Sequence, residues 1–307
     1  MNNARSTLPS PATGRTGRTG RTTGRTTAVL AALAVLILVA SLAAAPLVHG
    51  ADEGESITGQ DALVIGVKDD QPGLSLRTGD GELEGFDIDV ATYVAGRLGI
   101  SPDELEFEAL SSDEREGALE EGKVDMVVAS YSITPERKDR VTFGGPYYVA
   151  HQDILVRQGD RSVRKVRDLE GKRLCQVPGS TSWRRVTEQL EVRAALVKAN
   201  TYSECVEALA AGRLDAVSSD DLILAGFAAG TGTSTGTGAA VSLVGAPFSD
   251  ERYGIGLRKG DLEGCQAVNR ILTGMYQNGT AETLLGRWFA APGFEVATTV
   301  PQFEGCS

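Results

Sequence analysis

A short apolar strand, an amphipathic helix, then strand, helix and strand again is an order that few architectures accommodate, and this chain contains it twice. In the first copy the strand LVIGV (63–67) leads through a polar loop, KDDQPGLSLRTGDGELEG (68–85), to a helix over 87–98. There Ile88, Val90, Ala91, Val94, Ala95 and Leu98 make one apolar stripe before a stop at Gly99. A strand LEFEAL (105–110), a short acidic helix over 113–121 ended by Gly122, and the continuous apolar run VDMVVAS (124–130) complete it. Such an uninterrupted run marks a strand buried on both faces of a parallel sheet. The second copy reads as a strand at 172–177, a helix at 181–189, a strand at 194–199, a helix at 203–211 closed by Gly212, and a buried strand LDAVS at 214–218. Each copy is a doubly wound α/β unit.

Two extended aromatic stretches, FGGPYYVAHQDILV (143–156) and VGAPFSDERYGIGL (244–257), stand where the chain passes into the second unit and back. They read as two hinge strands, and helices over 262–278 and 280–289 then return to complete the first unit. The expected organisation is α/β with two lobes: 51–148 plus 251–307 as lobe one, and 149–250 as lobe two. The stretch GTGTSTGTG (230–238) has no apolar residue to bury and reads as a surface insertion.

Residues 1–50 are an address. Arg5, Arg15, Arg18, Arg21 and Arg25 precede the apolar run AVLAALAVLILVASLAAAPLV (28–48), and small residues follow. This is the build of a secretory signal; an uncleaved anchor is the alternative, since about 20 apolar residues span a bilayer. The run has no Cys to carry a lipid, so the expected location is the periplasm or the outer face of the cytoplasmic membrane. Five of the 30 basic side chains and none of the 41 acidic ones lie in this leader, so the body holds 25 basic against 41 acidic groups. A body this acidic repels nucleic acid. His151 is its one histidine, no paired-His or CxxC spacing exists, and no GxxxxGK[ST] loop occurs, so no metal, cofactor or nucleotide is expected. Cys175, Cys205, Cys265 and Cys306 suggest two disulfides in an exported chain. The favoured pairs are Cys175–Cys205, within one βαβ run, and Cys265–Cys306, pinning the C-terminus to a late helix.

Open α/β sheets gather ligands where strands end and helices begin. In ASYSITPERK, Ser130, Ser132 and Thr134 follow a strand and precede Arg137, the side chain suited to forked carboxylate binding. PGSTSW sets Ser180, Thr181 and their N–H groups at a helix start, a place for an anion. SSDD puts Asp220 or Asp221 at the end of a lobe-two strand, where a carboxylate meets an ammonium. Together they fit an α-amino acid. A second carboxylate on the ligand needs a second cation: Lys68, Arg115, His151, Arg184 and Arg185 are candidates, with Arg115 and Arg184 preferred for their first-turn positions.

GFDIDVATYVAGRLG (85–99) resembles the signature of the bacterial extracellular solute-binding proteins of family 3, the polar amino-acid receptors of ABC importers. SITPERK, FGGPYY, GST and GRLDAVSSDD follow in that family's order, and the resemblance spans about residues 60–290; KDDQPGL and YYVAHQDILV are similar to its glutamate-binding subgroup. The resemblance implies a hinged two-lobe fold of the type II periplasmic-binding-protein kind. It assigns the ligand α-carboxylate to Arg137, with Thr181 and an N–H near Ser132, and the α-ammonium to Asp220 and the carbonyl of Ser130. Asp87 and Asp89 are expected to be structural. The sequence departs from the family at Ser111 and Ser112, where many members carry an aromatic platform; Tyr131, Tyr147 or Tyr148 could supply an apolar wall instead. The expectation is a monomeric, non-catalytic receptor for glutamate, or for aspartate or glutamine, serving a separate membrane permease. An exported dehydratase on the same fold, with Glu136 or His151 as general acid, and an anchored ligand sensor are the competing readings.

Overall fold

The computed structural model describes residues 56–229, 241–290 and 298–306; the leader (1–50) and the stretch 230–238 lie outside them. In chain order the strands and helices are β1 (Leu63–Val67), β2 (Asp70–Gln71), β3 (Ser75–Arg77), β4 (Leu83–Glu84), α1 (Phe86–Leu98), β5 (Leu105–Ala109), α2 (Arg115–Glu120), β6 (Met126–Val127), α3 (Pro135–Lys138) and β7 (Thr142–Arg157). There follow β8 (Arg173–Gln176), α4 (Ser182–Arg184), β9 (Ala195–Lys198), α5 (Tyr202–Ala210), β10 (Val217–Asp220), α6 (Asp221–Ala228), β11 (Val241–Leu243), β12 (Ser249–Leu257), α7 (Leu262–Gln277) and α8 (Thr280–Phe289).

The apolar run of β1 sits at the centre of the first unit, parallel to β5 on one side and to β6 on the other. In the second unit β8 runs parallel to β9, and Leu174 bridges to Ala216 in the same sense. Each unit thus places its first strand between the two that follow, which is the doubly wound order and brings strand ends and helix starts to one edge.

The sixteen residues of β7 are buried almost throughout and serve both units. Strand β12 pairs antiparallel with β7 from Ser249↔Gln152 to Leu257↔Thr142, and β10 pairs with the far end of β7, so the main sheet runs β10-β7-β12-β6-β1-β5. A bulge interrupts the β7–β12 register between Tyr253 and Ile255. The largest apolar cluster follows the same route, from Phe86 and Val90 of α1 through Tyr147, Tyr148 and Tyr253 to Leu209 and Phe227.

Two disulfides fasten the periphery in the favoured pairing. Cys175 of β8 is bonded to Cys205 of α5 at 1.97 Å, and Cys265 of α7 to Cys306 at 1.98 Å. The second holds a C-terminal strap against the body. Glu304 donates its N–H to the Gly145 carbonyl at 3.2 Å, and its carboxylate meets Lys138 at 3.2 Å and Arg252 at 3.0 Å.

Several local expectations need correction. Residues 68–85, read as a loop, hold the small antiparallel sheet β2-β3-β4, whose two- and three-residue strands are too short for any alternation to register. The run 124–130 contributes only Met126 and Val127 as strand, although Asp125 and Val128 also donate to β1, and the chain turns at Ser130 with φ +45°. The helix over 181–189 is three α-helical residues followed by a π turn, Arg185–Gln189. The second crossover strand begins at Ser249 rather than 244. The last lobe-two strand is displaced toward Asp220, since its pairing is with β7 rather than with its own unit alone. No helix among the described residues is long and apolar enough to cross a membrane.

Candidate functional site

The edge at which both units end encloses a small polar cavity that opens to solvent. Gln71, Ser112, Arg115, Ala129, Ser130, Ser132 and Arg137 line it from lobe one; Ser180, Thr181, Ser182, Tyr202, Ser219, Asp220 and Ile223 line it from lobe two.

Arg137 reaches the cavity because Thr134 starts a single helical turn, accepting the Arg137 N–H on its hydroxyl at 3.3 Å. The guanidinium donates to the carbonyl of Ser132 at 2.6 Å, pairs through Nε with Glu116 at 3.2 Å and lies 4.9 Å over the Tyr131 ring. Arg115, first residue of α2, donates to the carbonyls of Ser112 and Ala129, each at 3.0 Å, and lies 4.4 Å over the same ring. Both guanidiniums are buried, at 8% and 3% exposure. Burial, followed by the positive charge of Arg115, pushes the Arg137 pKa down to about 10. An anion entering here meets two desolvated cations on an aromatic face, where a quadrupole favours positive charge.

Both cations also reach across the cleft. The carbonyl of Gly179 in lobe two accepts from Arg115 Nη2 at 3.2 Å and from Arg137 Nη2 at 2.7 Å. Gly179 has φ +72°, and a Cβ there would stand 2.4 Å from the backbone of Ser112 and Asp113. The two lobes meet backbone to backbone at a residue that must lack a side chain.

Ser130 is the strained member of the lobe-one wall. Its N–H donates to Asp87 at 2.7 Å and its hydroxyl to the same carboxylate at 2.9 Å, while Tyr147 donates to the other Asp87 oxygen at 2.7 Å. Burial pushes Asp87 up to about 6 despite these hydrogen bonds. Asp89 instead accepts from Trp288 at 2.7 Å, tying α1 to α8.

On the lobe-two wall, Ser180 and Ser182 share the hydroxyl of Tyr202 at 2.6 and 3.0 Å, and Gln152 of β7 donates to the Thr181 hydroxyl at 3.3 Å. Asp220 occupies the position before α6, yet its side chain makes no cap bond. Its carboxylate faces the cavity and accepts from Tyr253 at 2.7 Å. Burial and then the charge of Glu251 push its pKa up, to about 8.

The cavity therefore gathers Arg137, Arg115, Ser130, Ser132, Ser180, Thr181 and Asp220. Arg184 is not among them: it is exposed, 5.2 Å over the Trp183 ring, and faces, with Arg185 and Glu136, an adjoining groove that Arg137, Ser180 and Thr181 also line. Arg185 pairs with Glu251 at 2.8 Å, and Lys68 is buried against the Leu110 carbonyl at 2.7 Å. His151 meets Asp250 at 2.9 Å near the surface. Tyr131 is no apolar wall for a ligand but the face beneath the two arginines. Gln71 and Gly179 lie in KDDQPGL and PGSTSW, segments the sequence places at strand ends, without being singled out there; Tyr202 and Tyr253 had no signal in the sequence, because each depends on pairing between distant segments.

Residues 63–291 match the bacterial extracellular solute-binding proteins, family 3. The chain belongs to that family. A glutamate-binding protein, GluB, of Corynebacterium glutamicum is 42% identical over 72% of this chain and 76% of its own length. The ABC transporter glutamine-binding protein GlnH of Bacillus subtilis is 33% identical over 76% of this chain and 83% of its own. The crystal structure of the ancestral amino acid-binding protein AncCDT-1, a precursor of cyclohexadienyl dehydratase, is 31% identical with a TM-score of 0.65, covering 75% of this chain and 95% of that one. The family and the two-lobe α/β fold of the type II periplasmic kind agree with the expectation.

Proposed function

We propose that glutamate is the ligand of this amino-acid ABC solute-binding protein, held between lobe one (51–148 plus 251–307) and lobe two (149–250) and handed to a permease formed by separate membrane chains. The observation that carries the reading is the charge inventory of the cavity lining: two guanidiniums, Arg115 and Arg137, the second also paired through Nε with Glu116 behind the lining, against one carboxylate, Asp220. Glutamate presents the complement, two carboxylates and one ammonium. Arg137 takes the α-carboxylate with the Thr181 N–H, and Asp220 with the Ser130 carbonyl takes the α-ammonium. Arg115, with three of its five N–H donors already used, offers the other two to the side-chain carboxylate.

Glutamine would leave the Arg115 charge without a counter-ion, and a basic side chain would meet it as a like charge. Ser180 and the helix start at Thr181 add neutral donors to the anionic end. The resemblance to GluB supports the same choice. Ligand contacts made from both lobes favour the closed state over an open one, which is how a binding protein converts binding into a hinge motion.

The receptor is non-catalytic in this reading and works as a monomer exported by its leader. The groups that a dehydratase would need for general acid chemistry, Glu136 and His151, do not line the cavity. A thermal-shift screen of the twenty amino acids tests the assignment. Glutamate is expected to stabilise the protein most, because a ligand at 100 times its Kd adds about 2.7 kcal/mol. A larger shift with glutamine or arginine would sink it, and conversion of a cyclic amino acid to an aromatic product would favour the enzyme.

A further inference from the structure

Tyr253 is fully buried on the returning crossover strand β12, and its two ends belong to different lobes. Its backbone is laced to lobe one: Gly254 N–H donates to the Tyr131 carbonyl at 2.9 Å, Ile133 N–H to the Arg252 carbonyl at 2.8 Å, and Tyr253 itself bridges to Ser132. Ser132 is the residue whose carbonyl holds the Arg137 guanidinium. The Tyr253 hydroxyl, by contrast, donates to Asp220 of lobe two at 2.7 Å. The ring between is gripped by Tyr147 and Tyr148, with centroids 5.9 and 6.3 Å away, so the hydroxyl has little freedom to wander.

We propose that Tyr253 is a positioning residue for the ammonium pole of the ligand: it fixes the Asp220 carboxylate at a set distance from the segment that carries Ser132 and Arg137. The inference rests on the reading that Asp220 binds the α-ammonium. A rigid phenol is suited to this task because it has few side-chain torsions and a hydrogen-bond donor at its tip. With the hydroxyl engaged on Oδ2, the other oxygen is left for the ammonium. The spacing between the cationic and anionic grips is then set from the hinge rather than by either lobe alone.

The charged and titratable groups that face Asp220 are Glu251 of β12, Asp221 of α6 and Arg137 of lobe one. The first two oppose its ionisation, and the Tyr253 hydrogen bond favours it. Losing the hydroxyl therefore moves Asp220 toward its protonated form, which cannot receive an ammonium.

The test uses Tyr253→Phe, with Tyr147→Phe as a companion that removes the equivalent hydroxyl from Asp87, and Asp220→Asn. In the ligand-free protein, carboxyl carbon NMR of Asp220 should show its midpoint rising by about one pH unit in Tyr253→Phe and staying in place in Tyr147→Phe. Calorimetry with L-glutamate should show Tyr253→Phe about tenfold weaker than wild type at pH 7, the gap narrowing to about twofold by pH 9, where Asp220 is mostly ionised in wild type and about half ionised in the variant. A lost packing contact would weaken binding equally at both pH values and leave the midpoint where it was; that pattern overturns the proposal. So does glutamate affinity within twofold of wild type for Tyr253→Phe while Asp220→Asn is impaired. Asp220→Asn binding glutamate as wild type does would instead remove the reading of Asp220 on which the proposal stands.

Discussion

The two walls of the cleft are built on different physics. The lobe-one wall is charged and expensive: two buried guanidiniums, each already tied to backbone carbonyls of its own lobe and stacked on one tyrosine. The lobe-two wall is mostly neutral, with serine and tyrosine hydroxyls and one carboxylate steadied from the hinge. In the proposed reading lobe one is therefore the preformed anion site, which a ligand enters first. In that reading lobe two supplies the ammonium partner, Asp220, and its Gly179 carbonyl already receives both arginines across the cleft. Selectivity for an acidic side chain should belong to the first wall, and closure to the second.

That division can be broken by mutation. Arg137→Ala should have the largest effect, because removing one partner of a buried ionic contact costs about 3–5 kcal/mol, over a hundredfold in glutamate affinity. Calorimetric affinity within threefold of wild type would mean that the anion site is elsewhere. Arg115→Met should cost glutamate roughly ten- to hundredfold, since a hydrogen bond to a charged group contributes about 1.5–3 kcal/mol, while glutamine affinity changes far less. Equal losses for the two ligands would take side-chain selectivity away from the lobe-one wall.

The lobe-two wall should respond differently. Gly179→Ala forces a left-handed residue to carry a Cβ 2.4 Å from the Ser112 backbone. The backbone penalty of about 1–2 kcal/mol falls on the fold itself, whereas the clash with Ser112 and Asp113 falls on closure, so glutamate affinity should drop and small-angle scattering should show no compaction when glutamate is added. Compaction equal to wild type would show that the lobes do not meet at this glycine. Arg184→Ala should be the smallest change, within about twofold, because an exposed cation away from the cavity contributes little. A tenfold loss would bring the adjoining groove into the binding site.

Much of this arrangement was legible before any coordinates. Apolar runs and helical stripes located both α/β units, and Gly99, Gly122 and Gly212 ended their helices, each with positive φ. Placing Arg137, Thr181 and Asp220 needed only the rule that ligands gather beyond strand ends. Arg115 and Arg184 show where that reasoning stopped. Both are arginines in a first turn, yet one is buried over Tyr131 and the other exposed over Trp183. Which way a helix faces depends on what packs against it, and local spacing carries no record of that. Tyr253 was hidden for a similar reason, since the bond to Asp220 joins residues 33 positions apart across a sheet. The β2-β3-β4 sheet escaped because strands of two and three residues leave no period to detect.

The family's matched span closes at residue 291, while the strap continues to Cys306. Expression boundaries drawn from that span would discard one partner of a covalent bond and leave Cys265 as a reduced sulfur at the face where the tail had been. In an oxidising compartment such a thiol seeks another copy of itself, so a trimmed receptor should appear as a disulfide-linked dimer on non-reducing gels, with Lys138 and Arg252 stripped of the acid that neutralised them.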